Sequence, residues 1–493
     1  MNMDKLYCIG YIDDELIEKA DKYISKKKKC TFKKWTALAA SFITIFLIFA
    51  ALISFKNKNT ITAYAYVTNE KITSTAAVIK TGTISDSGEM KGHQLIFYIL
   101  GENITMILLK QADVYAPEHL GIKDVLVCGG KIEAVGDNLE GGTGCQVIDA
   151  KGMRLTPGLI DRHVHVTGGG GEGSFHTRTP QVELSSILKA GITTVLGLLG
   201  TDDMSRSVEN LLAKVKALKE EGITAYALCG AYGYPPVTLT GSVKKDIAFV
   251  DEIMGLKLAL SDHRAPNISV DELIRLGSDV RTAGMIGGKP GFIVLHMGSG
   301  KKKLGPVFEA LAETDIPVKT FQPTHMSRNH ELYLDGLKLA KMGGYIDITC
   351  EDFVNGEPVI GHDPMPALLE EAKAADVPMD HITFSSDGQG SWSSYDEAGM
   401  LKEIGVTDVG NMYAQMCSLV TRGGFDFAEA LTYFTSNVAK ALEIEKKKGH
   451  IVAGADADIL LIKDDLTLDT VIAGGRKMME GGTLLVRGTY EHD

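Results

Sequence analysis

The sequence predicts a parallel α/β barrel, joined to a small β-sandwich domain drawn from both of its flanks and preceded by one membrane-spanning helix. Three observations carry the prediction. Apolar strands alternate with amphipathic helices across residues 158–443, one short-strand texture appears on both sides of that region, and an uncharged apolar run fills residues 35–55. At 493 residues the chain is too long for one simple core and suits a large catalytic body with a smaller companion.

Taken in order, residues 1–34 form a basic segment with Lys22, Lys26, Lys27, Lys28, Lys29, Lys33 and Lys34. The run WTALAASFITIFLIFAALISF follows at 35–55, and at about 1.5 Å per residue it is long enough to span a bilayer core. It starts too deep in the chain and is too long for a cleaved signal peptide. Only Lys56 and Lys58 follow it closely, so the positive-inside rule predicts a single-pass protein with its N-terminus in the cytoplasm. Residues 56–105 carry no chemical motif and read as a linker or a small module. Short alternating strands broken by glycine turns then fill 106–157, and the same texture returns at 444–493 in GHIVAGADADILLI and TVIAGGRKMMEGG. Both flanks are assigned to one small β domain.

Between them, strands such as ITTVLGLLG, ITAYALCGAYG and FIVLHMG alternate with helical patterns such as VENLLAKVKALKEEG and VDELIRLGSDVRTAG. Repeated βα units over so long a stretch favour a barrel. A doubly wound open sheet is the alternative, but no G-x-G-x-x-G follows the first strand. Barrel architecture makes a demand: polar residues at the C-terminal ends of successive strands should converge on one site.

Composition removes some functions. A formal charge of −12 argues against general affinity for nucleic acid. The seven cysteines are scattered and contain no C-x-x-C pair, which disfavours a disulfide scaffold or a thiolate zinc knuckle. At the strand ends stand His163 and His165, Lys257, His296, His325 and Asp387. The two histidines of LIDRHVHV share one strand face, where they either grip one ion or face solvent. His296 and His325 each close an apolar run, a place equally suited to a core histidine with one hydrogen bond. Asp387 is a ligand or a turn residue. Lys257, in an apolar strand, either snorkels to solvent or stays neutral and reacts with CO₂ to give an anionic carbamate. Together these types supply neutral imidazoles and carboxylates of the kind that hold Zn²⁺.

The segments PGLIDRHVHVTGGGGEG, GLLGTD, GAYGYP, TGSV, GLKLALSDHR, GGKPG, LHMG, PTHMSRN, GGYIDIT and SSDGQGS occur in this order. On them, residues from about 106 to 493 resemble the amidohydrolase superfamily and, within it, the isoaspartyl dipeptidases, or β-aspartyl peptidases. That resemblance implies a distorted (β/α)8 TIM barrel with two Zn²⁺ ions. His163 and His165 would bind one ion with Asp387, His296 and His325 would bind the other, and carboxylated Lys257 and a hydroxide would bridge them. The hydroxide would be the nucleophile, Asp387 the proton shuttle, and Tyr232 the hydrogen-bond donor to the scissile carbonyl. Glu172 would hold the ammonium of an isoaspartyl dipeptide, Arg264 and Arg328 its carboxylates, and Thr201 and Ser391 would add hydrogen bonds. The family forms homo-oligomers and works in the cytoplasm, which would be this chain's location too if its N-terminal extension is not native. Gly233, Tyr234 and Trp392 depart from the family pattern beside the site, and the first hundred residues are foreign to it.

Two other functions share parts of this pattern. A cyclic amide hydrolase of the dihydroorotase or hydantoinase type would use the same metal site without needing Glu172 and both arginines. A catalytically dead, membrane-anchored binding protein would not need all six metal-site residues.

Overall fold

The computed structural model describes residues 106–142, 144–396 and 398–492, together with the backbone of four strands nearer the N-terminus. Those strands, Cys8–Gly10, Thr62–Tyr66, Ala76–Ile84 and Met90–Ile99, form one antiparallel sheet in the spatial order first, fourth, third, second. The last three give residues 56–105 a β character. The apolar run at 35–55 lies outside the described residues; among the described residues no helix is long and apolar enough to cross a membrane. The chain divides into two compact units, residues 1–108 with 139–148 and residues 109–138 with 149–493.

The larger unit is TIM-barrel-like. Strands β1 (Leu159–Val164), β2 (Ile192–Gly197), β3 (Thr224–Gly230), β4 (Ile253–Leu260), β5 (Phe292–Met297) and β6 (Phe321–Thr324) are hydrogen-bonded in parallel in that order. Strand β7 (Ile346–Thr349) pairs in parallel with β8 (Ile382–Ser385). Single contacts join the two sheets. Met326 donates its amide to the Asp347 carbonyl at 3.2 Å beyond β6, and His165 donates to the Gly388 carbonyl at 2.8 Å beyond β8. The interruption at β6 has a local cause: Pro323 lacks an amide hydrogen and His325 turns to φ 63°, so the strand is short and cannot donate a full ladder.

Every residue of β1, β2, β4 and β5 is buried, as expected for parallel strands covered on both faces. The covering helices read clearly in sequence. Helix α1 (Val208–Glu221), between β2 and β3, starts where Ser207 accepts a hydrogen bond from the Asn210 amide, and it ends at left-handed Gly222. It buries Leu211, Val215 and Leu218, one stripe of its surface. Helix α2 (Val270–Gly287), between β4 and β5, starts in a capping box of Ser269 and Glu272.

Strands from both flanks meet in one sheet. Ile459–Ile462 pairs antiparallel with Arg154–Pro157, and Arg154–Pro157 pairs in parallel with Met106–Tyr115 through Asp113 and Val114. Leu468–Ala473 and Arg476–Glu480 extend the sheet on the other side. The flanking strands form one hydrogen-bonded path that curls back on itself: the Ile132 amide donates to the Ala455 carbonyl at 2.9 Å, just before the central Ile459–Ile462 strand.

Candidate metal centre

Strand β1 delivers His163 and, one residue past its end, His165, both buried. Asp387 follows β8 by two residues in a left-handed turn at φ 54°. Its Oδ1 lies 3.4 Å from His163 Nε2 and 3.2 Å from His165 Nε2, and the three side chains can offer donor atoms to one cation. The approach is tight. A Cβ on Gly200, at the end of the β2 segment, would stand 2.8 Å from the His165 ring, so only glycine leaves room for it.

Lys257, fully buried in β4, places its Nζ 2.9 Å from His163 Nε2. His296 is the last residue but one of β5, and His325 follows β6. The ring centroid of His325 is 4.6 Å from that of His296 and 5.1 Å from that of His163, so all three rings line one space. His325 Nδ1 is 2.6 Å from the Thr349 hydroxyl, which leaves Nε2 without a partner among the described residues; Asp387 Oδ1 is likewise without a hydrogen bond. Tyr232, two residues past β3, brings its hydroxyl to 2.6 Å from His296 Nδ1.

A second group gathers at the mouth. Glu172 ends the glycine-rich loop after β1, and three side chains converge on its carboxylate: Thr201 Oγ1 at 3.2 Å, Ser391 Oγ at 2.8 Å and Arg264 Nη1 at 3.0 Å. Arg328 brings its charge near this cluster, where it helps lower the pKa of His296 and His325. It is exposed, its amide donates to the His325 carbonyl at 3.2 Å, and no ion pair holds its guanidinium among the described residues.

A model of the amidohydrolase family matches residues 154–478. The chain belongs to the amidohydrolase family. A solved β-aspartyl dipeptidase from Fervidobacterium islandicum AW-1, in complex with the dipeptide β-Asp-Leu, is 38% identical with a TM-score of 0.72 and covers 77% of this chain and 98% of its own. Curated relatives carry other names. A dihydroorotase of Listeria monocytogenes is 32% identical over 161 residues, 31% of this chain but only 37% of the relative's length. An imidazolonepropionase of Colwellia psychrerythraea is 24% identical over 357 residues, 64% of this chain and 77% of the relative.

In this amidohydrolase, burial holds the imidazoles of His163, His296 and His325 well below their ordinary pKa, and nearby positive charges add to the effect. Neutral rings with free lone pairs are what a cation needs. Burial also brings the Lys257 amine down to about 7, against the opposing pull of Asp387. Burial raises the Tyr232 phenol, which therefore stays protonated and able to donate.

Several residues that shape the site were not singled out by sequence. Asp262, two residues past β4, holds Arg264 and touches His296. Buried Arg206 anchors the glycine-rich loop: its Nη2 donates to the carbonyls of Gly169 at 2.9 Å and Thr179 at 3.0 Å, and its Nη1 to that of Thr167. Beneath the histidines lies a polar layer. Arg162 donates to Thr383 Oγ1 at 3.1 Å and to Gln322, while Asp347 accepts from the hydroxyls of Thr324, Thr383 and Ser385. Asp161, raised by burial to about 7, accepts the amides of both His163 and Ser386 at 3.2 Å and so ties β1 to the segment carrying Asp387. The signals were there as polar residues in apolar strands, such as the DR of LIDRHVHV, but their partners lie on distant strands.

Proposed function

We propose that this amidohydrolase cleaves the β-aspartyl linkage of dipeptides. The reading is carried by the Glu172–Arg264 pair, 3.0 Å apart beside the buried His, Lys and Asp cluster. Two opposite charges that satisfy each other in the free protein match a ligand that carries both. An isoaspartyl dipeptide would exchange the pair for its own groups, its ammonium on Glu172 and a carboxylate on the fork of Arg264. Arg328, exposed and with its charge near His296 and His325, would take the second carboxylate, while Thr201 and Ser391 keep Glu172 in place. The β-Asp-Leu bound by the 38% identical F. islandicum enzyme supports this substrate class.

The donor set fits two divalent cations such as Zn²⁺. His163, His165 and Asp387 would hold one; His296 and His325, with the unpartnered His325 Nε2, would hold the other. Bound there, such ions supply Lewis acidity and lower the pKa of water toward neutrality. Lys257, with an amine near pKa 7, would add to CO₂ by forming an N–C bond and releasing a proton, giving an anion between the two groups. The Asp387 carboxylate would take the proton of the attacking water on the oxygen not offered to the cation and pass it to the leaving amine nitrogen. Tyr232 would donate its hydroxyl proton in a hydrogen bond to the scissile carbonyl oxygen as charge develops there.

The test is purified protein supplied with Zn²⁺ and bicarbonate. It is expected to release aspartate and leucine from β-Asp-Leu and to leave L-dihydroorotate intact. The opposite selectivity would replace this reading by cyclic amide hydrolysis, which the local match to dihydroorotases favours. Absence of bound metal and of both activities would favour a binding protein. We further propose that residues 35–55 anchor the chain in a membrane with residues 1–34 on the cytoplasmic side; recovery of the native protein wholly in the soluble fraction would refute the anchor.

A further inference from the structure

Asp262 has no part in the chemistry above, yet its carboxylate faces both halves of the site. Oδ1 accepts from Arg264 Nε at 2.9 Å and from the Arg264 amide at 2.8 Å. Oδ2 accepts from Arg264 Nη2 at 3.0 Å and lies 3.2 Å from His296 Nε2. Asp262 is buried, with 3% of its side chain exposed. Burial alone would raise its pKa, but the hydrogen bonds of His296 and Arg264 outweigh that and hold the carboxylate far below its usual range. The fold also makes space for it: a Cβ on Gly298, just past β5, would come within 2.5 Å of the Asp262 Cα and Cβ.

We propose that Asp262 is a positioning residue that locks Arg264 and His296 to one another. Two parallel bonds from Nε and Nη2 fix the plane of the guanidinium and leave Nη1 pointing at Glu172, where a substrate group would enter. Accepting the Nε2 proton of His296 fixes that ring's tautomer and makes Nδ1 the lone pair, which the Tyr232 hydroxyl meets at 2.6 Å and which a cation would take in its place. One carboxylate thereby sets the fork that receives the substrate and the ring that receives a metal. The Arg264 half rests on the dipeptidase reading; the His296 half does not.

The two halves separate in two variants. Metal-free protein in bicarbonate buffer is titrated with Zn²⁺ against a competing chelator, and steady-state kinetics are measured on β-Asp-Leu. Asp262→Asn is expected to weaken one of the two zinc ions by about 10- to 100-fold and to raise KM, while Arg264→Lys raises KM and keeps both ions as tightly as wild type. Wild-type zinc retention in Asp262→Asn would overturn the proposal. So would equal weakening of both ions with a lowered melting temperature, which marks a merely structural role, or zinc loss in Arg264→Lys as large as in Asp262→Asn. Should the Asn variant fail to fold, Asp262→Glu keeps the charge but moves it by one methylene; an intermediate loss of zinc is expected, and unchanged retention overturns the idea. Zinc retention is read without substrate, so a protein that binds both ions yet never cleaves β-Asp-Leu would sink the dipeptidase reading while the His296 half still stands or falls by its own measurement.

Discussion

Gly200→Ala offers a direct test of the proposed first metal position. The new methyl carbon would start 2.8 Å from His165 Cε1 and 3.2 Å from Nδ1. Non-bonded carbons settle at about 3.5–4.0 Å, so the ring or the β2 end must give way by roughly 0.7 Å or more. His165 is 4% exposed, so its ring cannot swing out into solvent. Metal–ligand distances tolerate only about 0.2 Å, so even a third of that displacement reaching the imidazole would mis-set one ligand of the His163–His165–Asp387 group. Zinc affinity there should fall by about 10- to 100-fold, alongside an overpacking cost of about 1–3 kcal/mol in the metal-free protein. Gly169→Ala grades the effect, since its Cβ would lie 3.2 Å from His165 Nδ1, a milder intrusion. Chelator competition reads the zinc, and urea unfolding of the metal-free proteins reads the packing cost. Wild-type zinc retention in Gly200→Ala, or a larger loss in Gly169→Ala, would show that the His165 ring does not need the space Gly200 leaves.

Other expectations follow from the buried charges and donors. Lys257 has a pKa near 7 when folded and 10.5 as its ordinary value. Between those values the unfolded chain binds more protons, so metal-free, bicarbonate-free protein should gain stability as pH rises through that window. At about 1.4 kcal/mol per unit the full penalty, present below the folded pKa, is about 5 kcal/mol. Lys257→Met removes it, so the variant's advantage in urea unfolding should shrink from about pH 6 to about pH 10; a constant gap would count against the neutral amine. Tyr232→Phe should lower kcat by about 10²- to 10³-fold with little change in KM, and a change confined to KM would place the phenol in ground-state binding instead. Asp347→Ala strands the buried guanidinium of Arg162, whose Nε lies 3.9 Å from it, and should cost about 3–5 kcal/mol in urea unfolding; a loss below about 1 kcal/mol would mean that the layer's hydroxyls carry the arginine without it.

The barrel was legible because most of its strands are buried on both faces and so read as apolar runs of four to eight residues. His163 and His165 stood out by their period of two on one such run. Glu172 and Arg264 were reached only through resemblance, and nothing in their spacing announces that they meet. Asp262 escaped because its meaning depends on His296, which arrives from another strand. The same holds for Arg162, whose partners Gln322 and Thr383 are 160 and 221 positions away. Arg206 acts on backbone carbonyls, which no side-chain pattern encodes. That both flanks join in one β domain was legible from their shared texture, but not the order of the strands in its sheet, because alternation shows that a strand has two faces and not which neighbours its edges will find.

That sheet also sets a timetable for the growing polypeptide. Arg154 sits at the threshold of β1 and reaches the carbonyl of Lys463, 309 positions later. Until the ribosome has delivered residues near 460, the edge of Arg154–Pro157 that Ile459–Ile462 will cover remains an unpaired β edge, open to other chains. Pairings that span so much sequence form late and slowly. That edge is a hazard through most of the chain's synthesis, and a chain cut short of residue 459 would keep it exposed and be prone to aggregate.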